Sequence, residues 1–125
     1  MANKLDHFNC TDAIKPVRDA LDVINGKWKL PLIISMKAGN IRFTAIQHSI
    51  PGLTPKVLAK ELKEMELNKL ITREVDNGYP VVISYGLTDY AASLKPIISA
   101  LKSWGENHRK VVFKRSKLPA ARRAK

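Results

Sequence analysis

Between residues 50 and 55 the chain reads Ile-Pro-Gly-Leu-Thr-Pro, a helix stop and a helix start within six residues. Pro51 and Gly52 favour a turn, Thr54 can accept a hydrogen bond from a free N–H of a following helix, and Pro55 fits a first helical position that needs no N–H. Two helices must therefore meet here at a corner, in place of one long rod. Downstream, Leu58, Leu62 and Met65 fall on one helical face and Lys56, Lys60 and Lys63 on the opposite one. Upstream, a shorter helix is expected over roughly Phe43 to Ser49, with Phe43, Ile46 and Ile50 inward and Ile41 extended before it.

The flanking segments carry equally local signals. A first helix should open at Thr11 or Asp12 and place Ile14, Val17, Leu21 and Ile24 at three- and four-residue steps, with Pro16 within about its first turn. Asn25-Gly26 supplies a left-handed stop. A second helix from near Lys27 to about Lys37 is apolar nearly all round, the mark of a helix in the middle of a small domain. Its Pro31 falls in the first turn, and Ala38-Gly39-Asn40 closes it.

After Leu67, Leu70 to Val75 and Val81 to Tyr85 read as paired strands around Asp76-Asn77-Gly78-Tyr79-Pro80, with Asn-Gly expected to supply positive φ angles. One long helix is expected from Thr88 or Asp89, carrying Tyr90, Leu94, Ile97, Ile98, Leu101 and Trp104 and open to continuation through His108, Val111 and Val112. That stripe is longer than one small domain covers. Its far end and the first helix are expected to bury themselves against a second copy, the alternative being that the last helix folds back on its own domain.

Two short helices, a Pro-Gly corner and a hairpin outline a winged helix-turn-helix, a mainly α fold with a small antiparallel β-hairpin (α+β). The expected organisation is a flexible arm over residues 1–12, the winged domain with flanking dimerisation helices over 13–113, and a basic disordered tail over 114–125. Charge agrees with a polyanionic partner. Of a net +11, residues 109–125 carry +8 with no acidic residue, leaving +3 for the rest. The single Cys10 excludes an internal disulfide. With no signal peptide and no apolar run near 18 residues, a cytoplasmic location without membrane contact is expected. His7, His48 and His108 lack partners at metal-ligand spacing, and no phosphate-binding glycine loop or nucleophile motif is present. Neither a cofactor nor an enzymatic activity is expected.

Several ordered blocks share a pattern. Gly26-Lys27-Trp28-Lys29, Gly39, Arg42-Phe43, Ile50 to Thr54, Lys56-Val57-Leu58, Leu62 to Glu66, Leu70-Ile71, Arg73, Tyr85, Leu87-Thr88 and Trp104-Gly105 together resemble the HxlR family of bacterial winged helix-turn-helix regulators. The resemblance implies a homodimer joined through the first and last helices. It would bind double-stranded DNA at a short inverted repeat, with the helix from Thr54 in the major groove and Thr54, Pro55 and Lys56 nearest the DNA. On that reading Arg42, Lys56, Lys60 and Lys63 meet phosphates, Pro55 and Ala59 read base edges, and Arg73, Asn77 and Tyr79 are the wing's contacts. Arg73 has a second reading, as a partner of Glu66 or Glu74. The expected dimer interface comprises Ile14, Val17, Leu21, Leu94, Ile97, Ile98, Leu101 and Trp104.

The chain departs from the family at two places. Many relatives carry a cysteine before the proline of the first helix, where this chain has Lys15, so Cys10, about one turn upstream, becomes the candidate redox sensor. The wing also has Val82 and Ser84 where relatives often show Lys and Glu. A small-molecule or redox effector fits the family but is not identified by any motif. The alternative function is a general nucleic-acid-binding or architectural protein acting through the basic tail.

Overall fold

The computed structural model describes residues 10–116, in the order α1 (Cys10–Ile24), α2 (Lys29–Lys37), α3 (Phe43–Ser49), α4 (Pro55–Leu67), β1 (Ile71–Asp76), β2 (Val82–Leu87), α5 (Asp89–Ala92) and α6 (Lys95–Ser116). The described residues divide into two units, 10–91 and 92–116. Helices followed by a two-stranded antiparallel sheet give the expected α+β winged helix-turn-helix.

The first unit is built around side chains from every element of the helix-turn-helix. Leu32 and Ile46 from α2 and α3, Leu58 and Met65 from α4, and Leu70 and Ile71 at the root of the hairpin are almost wholly removed from water. Burying each such side chain is worth about 1.5–3 kcal/mol, so these six form the centre of the unit's core. The corner between α3 and α4 is closed by Gly52 at φ +83°, a backbone region that disfavours other residues. Leu53, beside it, turns inward and is buried.

A short polar chain fixes α3 on α2. Asn40 Nδ2 donates to Ser35 Oγ at 3.1 Å, Ser35 and Ser49 hydroxyls lie 2.5 Å apart, and Ser49 donates to the Ile46 carbonyl at 2.7 Å. Ser35 therefore donates to Ser49, the order that uses each hydroxyl hydrogen once.

In the hairpin, Ile71 pairs with Leu87 and Asp76 with Val82. Its root is tied down three times. The Tyr85 N–H donates to the Ile41 carbonyl at 2.8 Å, the Thr88 N–H donates to the Leu70 carbonyl at 3.0 Å, and the Thr88 hydroxyl lies 2.7 Å from the Lys69 carbonyl. The same Thr88 oxygen accepts the Ala91 N–H and so caps α5.

Several expectations need correction. Helix α1 opens at Cys10 rather than at Thr11 or Asp12, so residues 10–12 are helical and not part of an arm. Asp12 sits in the first turn, where its charge suits the free N–H groups, and Pro16 consequently lies inside the helix, beyond its first turn. The second helix begins at Lys29 rather than near Lys27. The turn at Asn77-Gly78 uses no positive φ; instead Asp76 Oδ1 accepts the Gly78 N–H at 3.0 Å, and the Tyr79–Pro80 peptide is cis.

The long final helix is two helices, broken at Ser93-Leu94. A continuous helix would need the N–H of residue 96 for the Ala92 carbonyl, and Pro96 offers a ring there instead. Finally, residues 114–116 continue α6, so the basic tail does not begin at 114. Residues 1–9 and 117–125, including His7 and most of that tail, lie outside the described residues.

Candidate nucleic-acid interface

Helix α4 has two unlike sides. Leu58, Glu61, Leu62 and Met65 are buried, while Lys56, Ala59, Lys60 and Lys63 are exposed on the far side. Its start is closed by the local chemistry of residues 54–57. Thr54 Oγ1 accepts the Val57 N–H at 3.2 Å, and Pro55 takes the first helical position. Because that cap holds the first turn in helical form, Thr54, Pro55 and Lys56 stand exposed at the positive end of the helix dipole, a place that favours anions.

The other expected contacts come from elsewhere in the unit. Arg42 is the extended residue immediately before α3, and Arg73, Asn77 and Tyr79 belong to the hairpin; all four are exposed. Among the described residues, no hydrogen bond or ion pair joins any of them to α4. Arg73 stands opposite Tyr85 in the ladder and pairs with neither Glu66 nor Glu74. Tyr79 is fully exposed at the hairpin tip.

One group of residues escaped the sequence reading. Lys29, in the otherwise apolar α2, is 3% exposed, and its Nζ donates to Glu61 Oε1 at 2.6 Å and to Glu64 Oε1 at 2.7 Å. Burial by itself acts most strongly on the Lys29 ammonium and would lower its pKa. The hydrogen bonds and charges of Glu61 and Glu64 together outweigh that effect and raise it above the ordinary lysine value. Glu64 is held below the usual carboxylate range, first by the Lys29 hydrogen bond and then by Lys60. A signal was available: Glu61 lies three residues after Leu58 and four before Met65, within the buried stripe, and a carboxylate there needs a buried cation.

The expected interface residues fall in both units, each with apolar surface in contact with water. On α1, Ile14, Val17 and Leu21 are about half exposed. On α6, Ile97, Leu101 and Trp104 are exposed, Leu94 just before the helix and Ile98 within it are half-buried, and Trp104 stacks on His108 with ring centres 5.0 Å apart. Pro96, Ile97, Ala100, Leu101 and Trp104 line a shallow apolar groove on α6. Cys10 is an exposed free thiol at the first residue of α1. His48 is exposed, and no cluster of potential metal ligands occurs among the described residues.

A model of the HxlR-like helix-turn-helix family matches residues 23–112. The chain belongs to the HxlR-like family. This HxlR-like protein is similar to the HTH-type transcriptional regulator YybR of Bacillus subtilis, with 38% identity over 97 residues, covering 78% of each chain. It is also similar to YdeP of the same organism, with 37% identity over 109 residues, 87% of this chain and 83% of that one. A solved structure of the redox regulator HypR in its reduced form matches with a TM-score of 0.73 and 37% identity, covering 80% of this chain and 99% of that one. The HxlR-like chain is thus a DNA-binding transcription regulator by family, and among its described residues no helix is long and apolar enough to cross a membrane.

Proposed function

We propose that the protein regulates transcription as a homodimer on an inverted-repeat operator, with α4 in the major groove. The observation that carries this reading is the two-sided α4, whose capped N-terminus and exposed Lys56, Ala59, Lys60 and Lys63 lie opposite its buried face. Thr54, Pro55 and Ala59 are the groups small or close enough to meet base edges. Lys56, Lys63 and Arg42 set register on phosphates, and Arg73, Asn77 and Tyr79 add contacts from the hairpin.

The exposed stripes Ile14, Val17, Leu21 on α1 and Ile97, Leu101, Trp104 on α6 support the dimer, because a second copy offers the same apolar surfaces in return. Such a dimer would place two recognition helices roughly 34–36 Å apart, one turn of DNA.

The test is selection of a binding site from random duplex DNA, followed by affinity measured against salt. A two-fold symmetric site is expected. If six to ten phosphates are met per dimer, affinity should fall by about a thousandfold or more between about 50 and 200 mM salt. Lys56→Ala should make that dependence shallower, by about 0.9 in logarithmic slope for each phosphate that the variant no longer neutralises. Selection of no site, or a salt response that is flat, would overturn the reading.

A further inference from the structure

Lys29 and Lys60 reach the same two carboxylates through different oxygens. Lys29 Nζ meets Oε1 of both Glu61 and Glu64. Lys60 Nζ lies 3.3 Å from Oε2 of Glu64 and 3.9 Å from Oε2 of Glu61. Two cations and two anions therefore alternate around a closed, net-neutral ring that joins the inside of the unit to the exposed face of α4.

The two lysines are not equivalent members of this ring. The Lys29 side chain is 4% exposed, and withdrawing it would leave the buried Glu61 carboxylate with only the longer 3.9 Å contact to Lys60. The Lys60 side chain is 68% exposed, and its bond to Glu64 is a surface pair between residues four apart, a weak kind that another anion can replace. Glu64 is held in place by its bond to Lys29, so its second oxygen is presented to Lys60 before any ligand arrives. With its carboxyl held below the usual range, it remains an anion at neutral pH.

We propose that Glu64, oriented by Lys29, is a positioning residue that withholds Lys60 from DNA phosphate and so limits sequence-independent affinity. This rests on α4 being the helix that faces DNA. Lys56 and Lys63 are then the ready cations of α4, and Lys60 joins only when a phosphate displaces Glu64. A loosely docked, nonspecific complex gains little by that exchange. A closely seated complex on the right sequence can offset it through base contacts. Four lysine and glutamate side chains thereby tune the ratio of specific to nonspecific binding without touching a base.

The experiment measures affinity for a mixed-sequence duplex by fluorescence anisotropy between about 50 and 200 mM salt. It compares wild type, Glu64→Gln, Lys60→Ala, the Glu64→Gln/Lys60→Ala double variant and Lys56→Ala. One additional neutralised phosphate per protomer, two per dimer, steepens the logarithmic slope by about 1.8, which enlarges the affinity ratio between those salt concentrations about 12-fold. Glu64→Gln is expected to bring that steepening in the presence of Lys60 and none in its absence. Equal steepening with and without Lys60 would mean only that a negative charge had been removed, and would overturn the proposal. No steepening at all, with Lys56→Ala still flattening the slope, would overturn it while leaving α4 as the DNA-facing helix. A slope unmoved by Lys56→Ala would remove that premise instead, and the proposal with it. Glu64→Gln keeps the Lys29–Glu61 pair, so cooperative melting should persist and serves as the control for folding.

Discussion

Helices α1 and α4 are both amphipathic and of similar length, 15 and 13 residues, yet their apolar faces have opposite fates. Leu58 and Met65 of α4 are completely buried, whereas Ile14, Val17 and Leu21 of α1 are 50–56% exposed. Helical periodicity states that a face is to be covered; it does not state by what. In α4 the cover is the rest of the same unit, and the opposite face is thereby left for a ligand. In α1, and separately in α6, the apolar face itself is what remains to be covered.

The contrast can be broken most forcefully at Leu58. Leu58→Ala should cost about 2–5 kcal/mol, read by urea denaturation at fixed protein concentration. A loss below about 1 kcal/mol would mean that α4 is not held by its inner face. Trp104→Ala probes the other class of face. Because Trp104 is 68% exposed, the helical circular dichroism should hardly change, while dissociation of the proposed dimer should rise about 30-fold, the scale of a hot-spot residue of about 2 kcal/mol. Sedimentation showing a dimer of unchanged affinity would take that residue out of the interface.

The smallest effect sharpens the comparison from the polar side. Glu64 has a folded pKa below its unfolded value of about 4.3, so its contribution to stability is present above that pH and is lost as pH falls through the folded value. Lys29 has a folded pKa above its unfolded value of about 10.4, so its contribution is full below that pH and is lost as pH rises through the folded value. Stability from this network should therefore be level between about pH 5 and 10 and decline on both sides. Glu64→Gln should remove its part of the acid-side decline and, because Glu64 also helps to raise Lys29, lessen the alkaline-side decline, as thermal melting across pH would show.

Residues whose conformation is decided by neighbours in sequence were legible without a structure. Thr54 and Pro55 cap α4 as their chemistry dictates, and α3 occupies Phe43–Ser49 as its apolar spacing predicts. The face carrying Lys56, Lys60 and Lys63 followed from the same periodicity. Failures had two physical sources. Some local signals competed: Asn77-Gly78 suggested a positive-φ turn, but the Asp76 carboxylate captured the Gly78 N–H, and Pro96 interrupted an apolar repeat that otherwise ran on from Tyr90. Other features were wholly nonlocal. Lys29 and Glu61 are 32 residues apart, and nothing near Lys29 distinguishes it from the exposed Lys27.

Among the described residues, the hydrogen bonds that tie the hairpin to the rest of its unit fall toward its root. Near its root, Tyr85 is bonded to Ile41, Thr88 to Leu70, and Ile71 is buried; from Thr72 onward β1 is exposed, as is the tip at Tyr79. It is a cantilever. At the free end Tyr79 meets solvent and β1 is exposed, although β2 stays half-buried along its length, while α4 stays seated on its own buried face. The tip can therefore take on or shed a residue or a charge at little cost to the fold, and the length of this beam is a dimension that can be altered independently of the helix that carries the lysines.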